Sequence, residues 1–137
     1  MGGRMSGSQF RVFPHEKLTE VIIGAAFKVH NRLGHSFTEK VYENALFKEL
    51  KLQGLEVEQQ KQLTVNYGGD PIGIFIVDLL VQKKVILEIK AVKTLEKTFE
   101  DKLLHYLKVS GIEVGLLINF GTSVQIKRKI FTGIPNP

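Results

Sequence analysis

The chain has 137 residues, 43% hydrophobic and 24% charged, with 19 Lys and Arg against 14 Asp and Glu for a net charge of +5; this fits one globular domain with its own core and argues against extended disorder. It contains no cysteine, which excludes disulfides, thiolate metal sites and a cysteine nucleophile. No apolar run of about 18 residues occurs, and no charged leader followed by an apolar stretch, so neither a membrane span nor a secretory signal is expected and the cytoplasm is the default location.

Residues 1–15, opening Met1-Gly2-Gly3-Arg4-Met5-Ser6-Gly7-Ser8, read as a flexible leader, 16–131 as a single domain and 132–137 as a flexible tail. Lys17 to Leu33 has a helical period, with Ile22, Ile23, Ala26, His30 and Leu33 on one stripe and Gly34 as its stop. His30 lies on that apolar stripe, and a core histidine with a satisfied hydrogen bond explains its position better than a site role does. A second helix is expected from Phe37 to Gln53, ended by Gly54. It opens on Ser36-Phe37-Thr38-Glu39, the serine and glutamate of a capping box. Because Glu39, Tyr42, Leu46 and Leu50 share a stripe, Glu39 stands at the edge of the packing face. Two roles are open to it, the cap or a reach inward to a metal.

Leu55 to Tyr67 alternates as a long strand, bent near Gln59 to Gln62. Gly68-Gly69-Asp70-Pro71 turns it into a second strand. Ile74 to Val81, the polar break Gln82-Lys83-Lys84, and Val85 to Ala91 read as a hairpin, so Leu55 to Ala91 forms a three-stranded antiparallel meander. A third helix follows over Thr94 to Ser110, with Leu95, Phe99, Leu103, Tyr106 and Leu107 at helical spacing and Gly111 as its stop. Val114 to Asn119 is a short buried strand, and Val124 to Phe131 closes the domain.

The hairpin register has a chemical consequence. With a three-residue loop, Val81 faces Val85, and Asp78 falls opposite Glu88. Val77, Leu79, Val81, Val85, Leu87, Ile89 and Ala91 then form one apolar face, while Ile76, Asp78, Leu80, Ile86, Glu88 and Lys90 share the other. A two-residue loop would scatter the charges. Carboxylates opposed at roughly 5 Å repel, so a protonated carboxyl, a salt bridge to Lys90 or a bound cation must compensate. Two converging carboxylates suit a hard divalent ion; a structural ion pair with Lys90 is the alternative.

Residues 1–81 hold nine Lys and Arg and nine Asp and Glu, whereas 82–137 hold ten against five. The basic excess therefore lies with the carboxylate pair, in Lys83, Lys84, Lys90, Lys93, Lys97, Lys102, Lys108 and Lys127-Arg128-Lys129. Such potential suits a phosphate backbone, and solvated lysines on helix and strand faces explain it equally well.

Helices, then a meander carrying Asp and Glu-x-Lys, then a helix and further strands resemble the PD-(D/E)XK nuclease core. Over roughly Leu18 to Phe131 the chain is similar to the small GxxExxY subgroup of that superfamily. The resemblance is carried by Val29-His30-Asn31-Arg32-Leu33-Gly34, Ser36-Phe37-Thr38-Glu39-Lys40-Val41-Tyr42-Glu43, Val77-Asp78-Leu79-Leu80-Val81, Glu88-Ile89-Lys90-Ala91-Val92, His105-Tyr106-Leu107-Lys108 and Gly115-Leu116-Leu117-Ile118-Asn119-Phe120-Gly121. Two positions depart: Ser36 stands at the naming glycine, and Lys102 where a glutamine is usual four residues before the tyrosine.

The resemblance implies an α/β fold, a mixed sheet of an antiparallel meander plus C-terminal strands flanked by helices. It also implies a divalent-metal nuclease acting on DNA or RNA. Asp78 and Glu88 would hold Mg²⁺ or Mn²⁺ with the Ile89 carbonyl, and Glu39 would be an optional third carboxylate. Lys90 would orient water or stabilise developing charge, and Tyr42, Lys102 and Tyr106 would position the substrate. The competing reading is a catalytically inactive nucleic-acid-binding or protein-interaction module on the same fold. A homodimer is an option, because one domain of this size offers little surface to grip a duplex.

Overall fold

The structure, a computed structural model, describes residues 13–133; most of the expected leader and tail lies outside these residues. Three helices, α1 (Glu16–Leu33), α2 (Glu39–Leu52) and α3 (Lys97–Ser110), accompany five strands, β1 (Val57–Tyr67), β2 (Asp70–Val81), β3 (Val85–Lys90), β4 (Val114–Phe120) and β5 (Val124–Ile130). The sheet order is β1-β2-β3-β4-β5. Among the described residues only β3 and β4 are parallel neighbours, and α3 is the crossover that such neighbours require. Among the described residues no helix is long and apolar enough to cross a membrane.

Two clusters cover the two faces of the sheet. On one, Ile22, Ala25, Ala26 and Val29 of α1 and Tyr42, Leu46 and Leu50 of α2 pack on Leu79, Val81, Val85, Leu87, Ile89, Leu116 and Ile118. On the other, Leu103 and Leu107 of α3 pack on Val77, Leu80, Ile86 and Leu117. Burying a side chain of this size stabilises by about 1.5–3 kcal/mol, so these faces dominate the folding energy. β4 is buried along its whole length, as a strand covered on both sides must be. At Gly115 a Cβ would stand 2.7 Å from Leu103 Cδ1; the missing side chain lets α3 settle onto β4.

The expected hairpin register is present from the turn outward, with Val81 paired to Val85, Leu80 to Ile86 and Leu79 to Leu87, but the ladder ends there, so the expected Asp78–Glu88 pair lies just beyond it. The turn is closed by Lys84 N–H to Val81 O at 2.9 Å, with Gln82 (φ 54°) and Lys83 (φ 57°) in the left-handed region. Gly68 (φ 60°) and Gly69 (φ 85°) supply the β1–β2 turn, where two positive φ values match the right-handed twist of the flanking strands.

Val77 departs from the expected face. Leu79 belongs to the α1–α2 side, whereas Val77, two residues earlier, belongs to the α3 side. β1 makes the same exchange, since Val57 packs on the α1–α2 side and Leu63 on the α3 side. The β1–β2 ladder runs through Gln59–Leu79 and resumes at Lys61–Val77, omitting Gln60 and Asp78. Gln60 has φ 52° in the middle of the strand. A left-handed residue there rotates the strand, so period-two alternation does not carry across it.

The second helix also begins later than expected. Its N-cap is Thr38, without a side-chain cap bond, and Ser36 has φ 85°. The capping box therefore does not form: left-handed backbone at Ser36 points the chain away from the geometry that cap requires.

Candidate active site

Asp78 and Glu88 meet where the β2–β3 ladder ends. Beyond the Leu79–Leu87 pair, the side chains take over bonds that backbone carbonyls would otherwise make. Glu88 Oε2 accepts Asp78 N–H at 2.9 Å, and Asp78 Oδ2 accepts Ile89 N–H at 2.8 Å. Each carboxylate is thus locked by one oxygen onto the opposite strand. Both side chains are half-buried.

Proximity and burial weigh on both acids. Burial first, and then the Asp78 charge, push the Glu88 carboxyl up to about 8, against relief from Asp78 N–H, Lys102 and Lys90. Asp78 is also raised, mainly by burial with a contribution from the charge of Glu43, while Ile89 N–H, Gln60 and Lys90 oppose the shift. The lysines lessen the repulsion without cancelling it.

Lys90 lies two residues beyond Glu88 on the same side of β3. Its Nζ is 4.3 Å from the centroid of the Phe99 ring, a cation–π contact that directs the ammonium toward α3. Glu88, Lys90, Phe99, Lys102, Leu103 and Leu117 line a cavity of about 200 Å³. Lys102 is held by Tyr106: its Nζ lies 5.7 Å from that ring, and hydrogen bonding to Tyr106 is the largest cause of its raised pKa, with Glu88 and Asp78 adding to it. Tyr106 stacks on Phe75 with centroids 4.4 Å apart. The structure therefore brings Asp78, Glu88, Ile89, Lys90 and Lys102 together, with Tyr106 bordering them.

Glu39 and Tyr42 stand elsewhere. Glu39 is exposed in the first turn of α2, and among the described residues nothing ties it to the pair. Tyr42 is fully buried. Its hydroxyl donates to Gly34 O at 2.6 Å and accepts Phe37 N–H at 3.3 Å, and its ring stacks on Phe120 at 4.6 Å. With both faces of its chemistry occupied, Tyr42 fastens the α1–α2 connection and is withdrawn from any substrate. His30 has a comparable place, its Nε2 lying 2.8 Å from Gly121 O.

Glu43, one turn beyond Glu39, is the carboxylate that approaches Asp78. It is only 4% exposed, and Lys40 Nζ (3.1 Å), Gln59 Nε2 (2.7 Å) and Gln60 Nε2 (3.0 Å) all donate to its Oε2. Gln60 Nε2 also reaches Asp78 Oδ1 at 3.3 Å. Position 43 lies on the stripe of Glu39, Tyr42 and Leu46, and that spacing was the signal available for it. Asn119, fully buried, was likewise legible only as part of a motif. Its Oδ1 accepts Val92 N–H at 2.9 Å, its Nδ2 donates to Val92 O at 2.9 Å, and it thereby fixes the chain just past Lys90.

The basic surplus is partly consumed within the domain. Lys129 pairs with Glu100 at 2.8 Å and Lys97 with Asp101 at 2.9 Å, and Arg128 donates to Thr19 Oγ1 at 3.0 Å. Among the described residues, Lys90 and Lys102 are the cations whose charges act on Glu88, and that of Lys90 acts on Asp78 as well.

Among the described residues no group of three or more His, Cys, Asp and Glu side chains is arranged to hold a metal. The pair nevertheless fits a hard cation that keeps most of its waters. Both donors are carboxylate oxygens, and Glu88 Oε1 accepts no hydrogen bond among the described residues. The acids also suffer mutual repulsion that a dication would remove.

The mixed five-stranded sheet flanked by three helices is an α/β fold of the nuclease-like kind. The chain belongs to the PD-(D/E)XK nuclease superfamily, whose family description matches residues 16–130. Among solved structures, one titled "Crystal structure of SSO0001" superposes with a TM-score of 0.56 at 14% identity, covering 91% of this chain and 81% of that one; at that identity the likeness is one of fold. No curated protein matches the chain.

Proposed function

We propose that the protein is a divalent-metal-dependent phosphodiesterase that hydrolyses DNA or RNA, using Asp78 and Glu88 to hold Mg²⁺ or Mn²⁺. The observation that carries this reading is the locked pair itself, two half-buried carboxylates each fixed by a backbone N–H, with Glu88 held up near 8. An arrangement that repels itself when empty gains most from a dication. That ion would neutralise the acids, polarise a phosphodiester oxygen and make its water more acidic.

The chain's own groups would do the rest. Glu88 must lose its proton to bind, and Asp78 Oδ2 stays tied to Ile89 N–H. The Lys90 ammonium, aimed along the cavity by Phe99, would stabilise the negative charge that builds on the phosphoryl oxygens as water attacks and the P–O bond breaks. Lys102, braced by Tyr106, would hold a neighbouring phosphate. Phosphate contacts position a polymer without reading its sequence. Membership of the GxxExxY subgroup is part of the proposal, supported by φ 85° at Ser36, a backbone that suits the subgroup's glycine.

The test is cleavage of plasmid DNA and of RNA by the purified chain with Mg²⁺ or Mn²⁺. Asp78→Asn and Lys90→Ala should abolish it, and mutants cutting as fast as the parent would dismiss the reading. A chain that binds nucleic acid without cutting supports the inactive-module alternative.

A further inference from the structure

Gln60 is the described residue whose backbone is most at odds with its setting. It sits in the middle of an 11-residue strand at φ 52°, a conformation costing a non-glycine residue roughly 1–2 kcal/mol. Strain of this kind persists where surrounding contacts over-determine it, and it gathers at functional sites. Here the contacts are specific. The Gln60 amide nitrogen lies 3.1 and 3.0 Å from Oε1 and Oε2 of Glu43 and 3.3 Å from Oδ1 of Asp78. Gln59 and Lys40 hold Glu43 in turn. The ladder gap opposite Gln60 falls at Asp78, so the strained residue and the site acid occupy the same break in the sheet.

We propose that Gln60 is a positioning residue for Asp78: anchored on Glu43, its amide fixes one Asp78 oxygen so that the other stays on Ile89 N–H and the carboxylate faces Glu88. The left-handed backbone is what brings the amide to that point, because a strand in regular alternation would continue the ladder there. Glu43 acts through Gln60 and contributes a fixed negative anchor. The consequence for metal binding rests on the proposed function above; the positioning itself does not.

The experiment uses two readouts on the full chain. The first is hydrogen exchange of the Ile89 amide in metal-free protein, since Asp78 Oδ2 is the acceptor of that N–H. Gln60→Gly relieves the backbone cost while removing the amide, and Glu43→Gln removes the anchor's charge. Both should speed Ile89 exchange by about tenfold or more, the weight of a hydrogen bond to a charged group, while Leu79 and Leu87 in the intact ladder keep their rates. The second readout is Mn²⁺ affinity from the free-ion EPR signal, expected to weaken about tenfold in either variant, with the double variant no worse than the singles.

Unchanged Ile89 exchange in Gln60→Gly overturns the proposal, as does an equal acceleration of all three amides, which marks general loosening. Ile89 loosening alone, in a chain whose parent form takes up no Mn²⁺, upholds the positioning and removes the metal reading.

Discussion

Glu88 accepts the backbone N–H of Asp78 at 2.9 Å, so the two acids are joined by a bond that runs from the main chain of one to the side chain of the other. Their distance is therefore set by the sheet. Ordinary surface carboxylates relieve repulsion by rotating apart, but here rotation would orphan a strand amide. The repulsion is stored until a proton or a cation removes it.

The first prediction concerns pH. The folded chain binds the Glu88 proton more tightly than the unfolded chain does, with the group near 8 in the fold against 4.5 ordinarily. Asp78 is raised in the same sense. In EDTA, stability should therefore fall as pH rises from about 4.5 to about 8, and saturating Mg²⁺ or Mn²⁺ should restore it above that range. Thermal melts at pH 5, 7 and 9 with and without metal measure this; a metal-free Tm that rises over the interval refutes it.

Glu88→Gln should separate charge from shape. The amide oxygen can still accept Asp78 N–H, so at pH 9 the variant should be more stable than the metal-free parent by on the order of 1–3 kcal/mol. Near pH 5 the difference should be small. Chemical denaturation at the two pH values gives both numbers, and metal should no longer shift the variant's midpoint.

Much of this was legible in the sequence. The three-residue loop and the apolar runs around Asp78 and Glu88 dictate the hairpin register, because a slip would send charges into both faces. The helices follow from their stripes and from Gly34, Gly54 and Gly111, although α3 begins only at Lys97 and leaves Thr94 and Leu95 outside it. The face of Val77 has a local cause. The polar run Gln59-Gln60-Lys61-Gln62 marks the bend that Gln60 makes, but with no alternation through it the sequence does not show that the strand's faces exchange there. The stripe and the motif both allow Glu39 an inward role and the motif alone gives Tyr42 one, whereas the direction of the helix puts Glu43 beside Gln60 and Asp78 and buries Tyr42 in the core. Ser36 misled in the same way, since a serine three residues before a glutamate looks like a cap whatever its φ.

Ser36→Gly should stabilise the protein. At φ 85° a serine carries roughly 1 kcal/mol of steric cost that glycine lacks. The bond it gives up, Ser36 Oγ to His35 Nδ1, is exposed and worth little. A rise in Tm of about 4 °C is expected, read by calorimetry, with the site untouched; a lower Tm would show that the turn does not need this conformation.

Asn119→Ala should do the opposite. It strands both the N–H and the C=O of Val92, which the fully buried Asn119 amide now satisfies. A loss of about 2–4 kcal/mol is expected in urea denaturation. Because Val92 follows Lys90 closely, cleavage at a temperature where the variant is still folded should also drop.

The central claim, that the acids on β2 and β3 form a cation site, is tested most directly by anomalous diffraction from a Mn²⁺-soaked crystal. The account predicts a manganese peak between the carboxylates of Asp78 and Glu88, with water completing the coordination and no peak in Asp78→Asn. A well-ordered pair with no manganese between its oxygens, at a pH above 8 and saturating Mn²⁺, would contradict it.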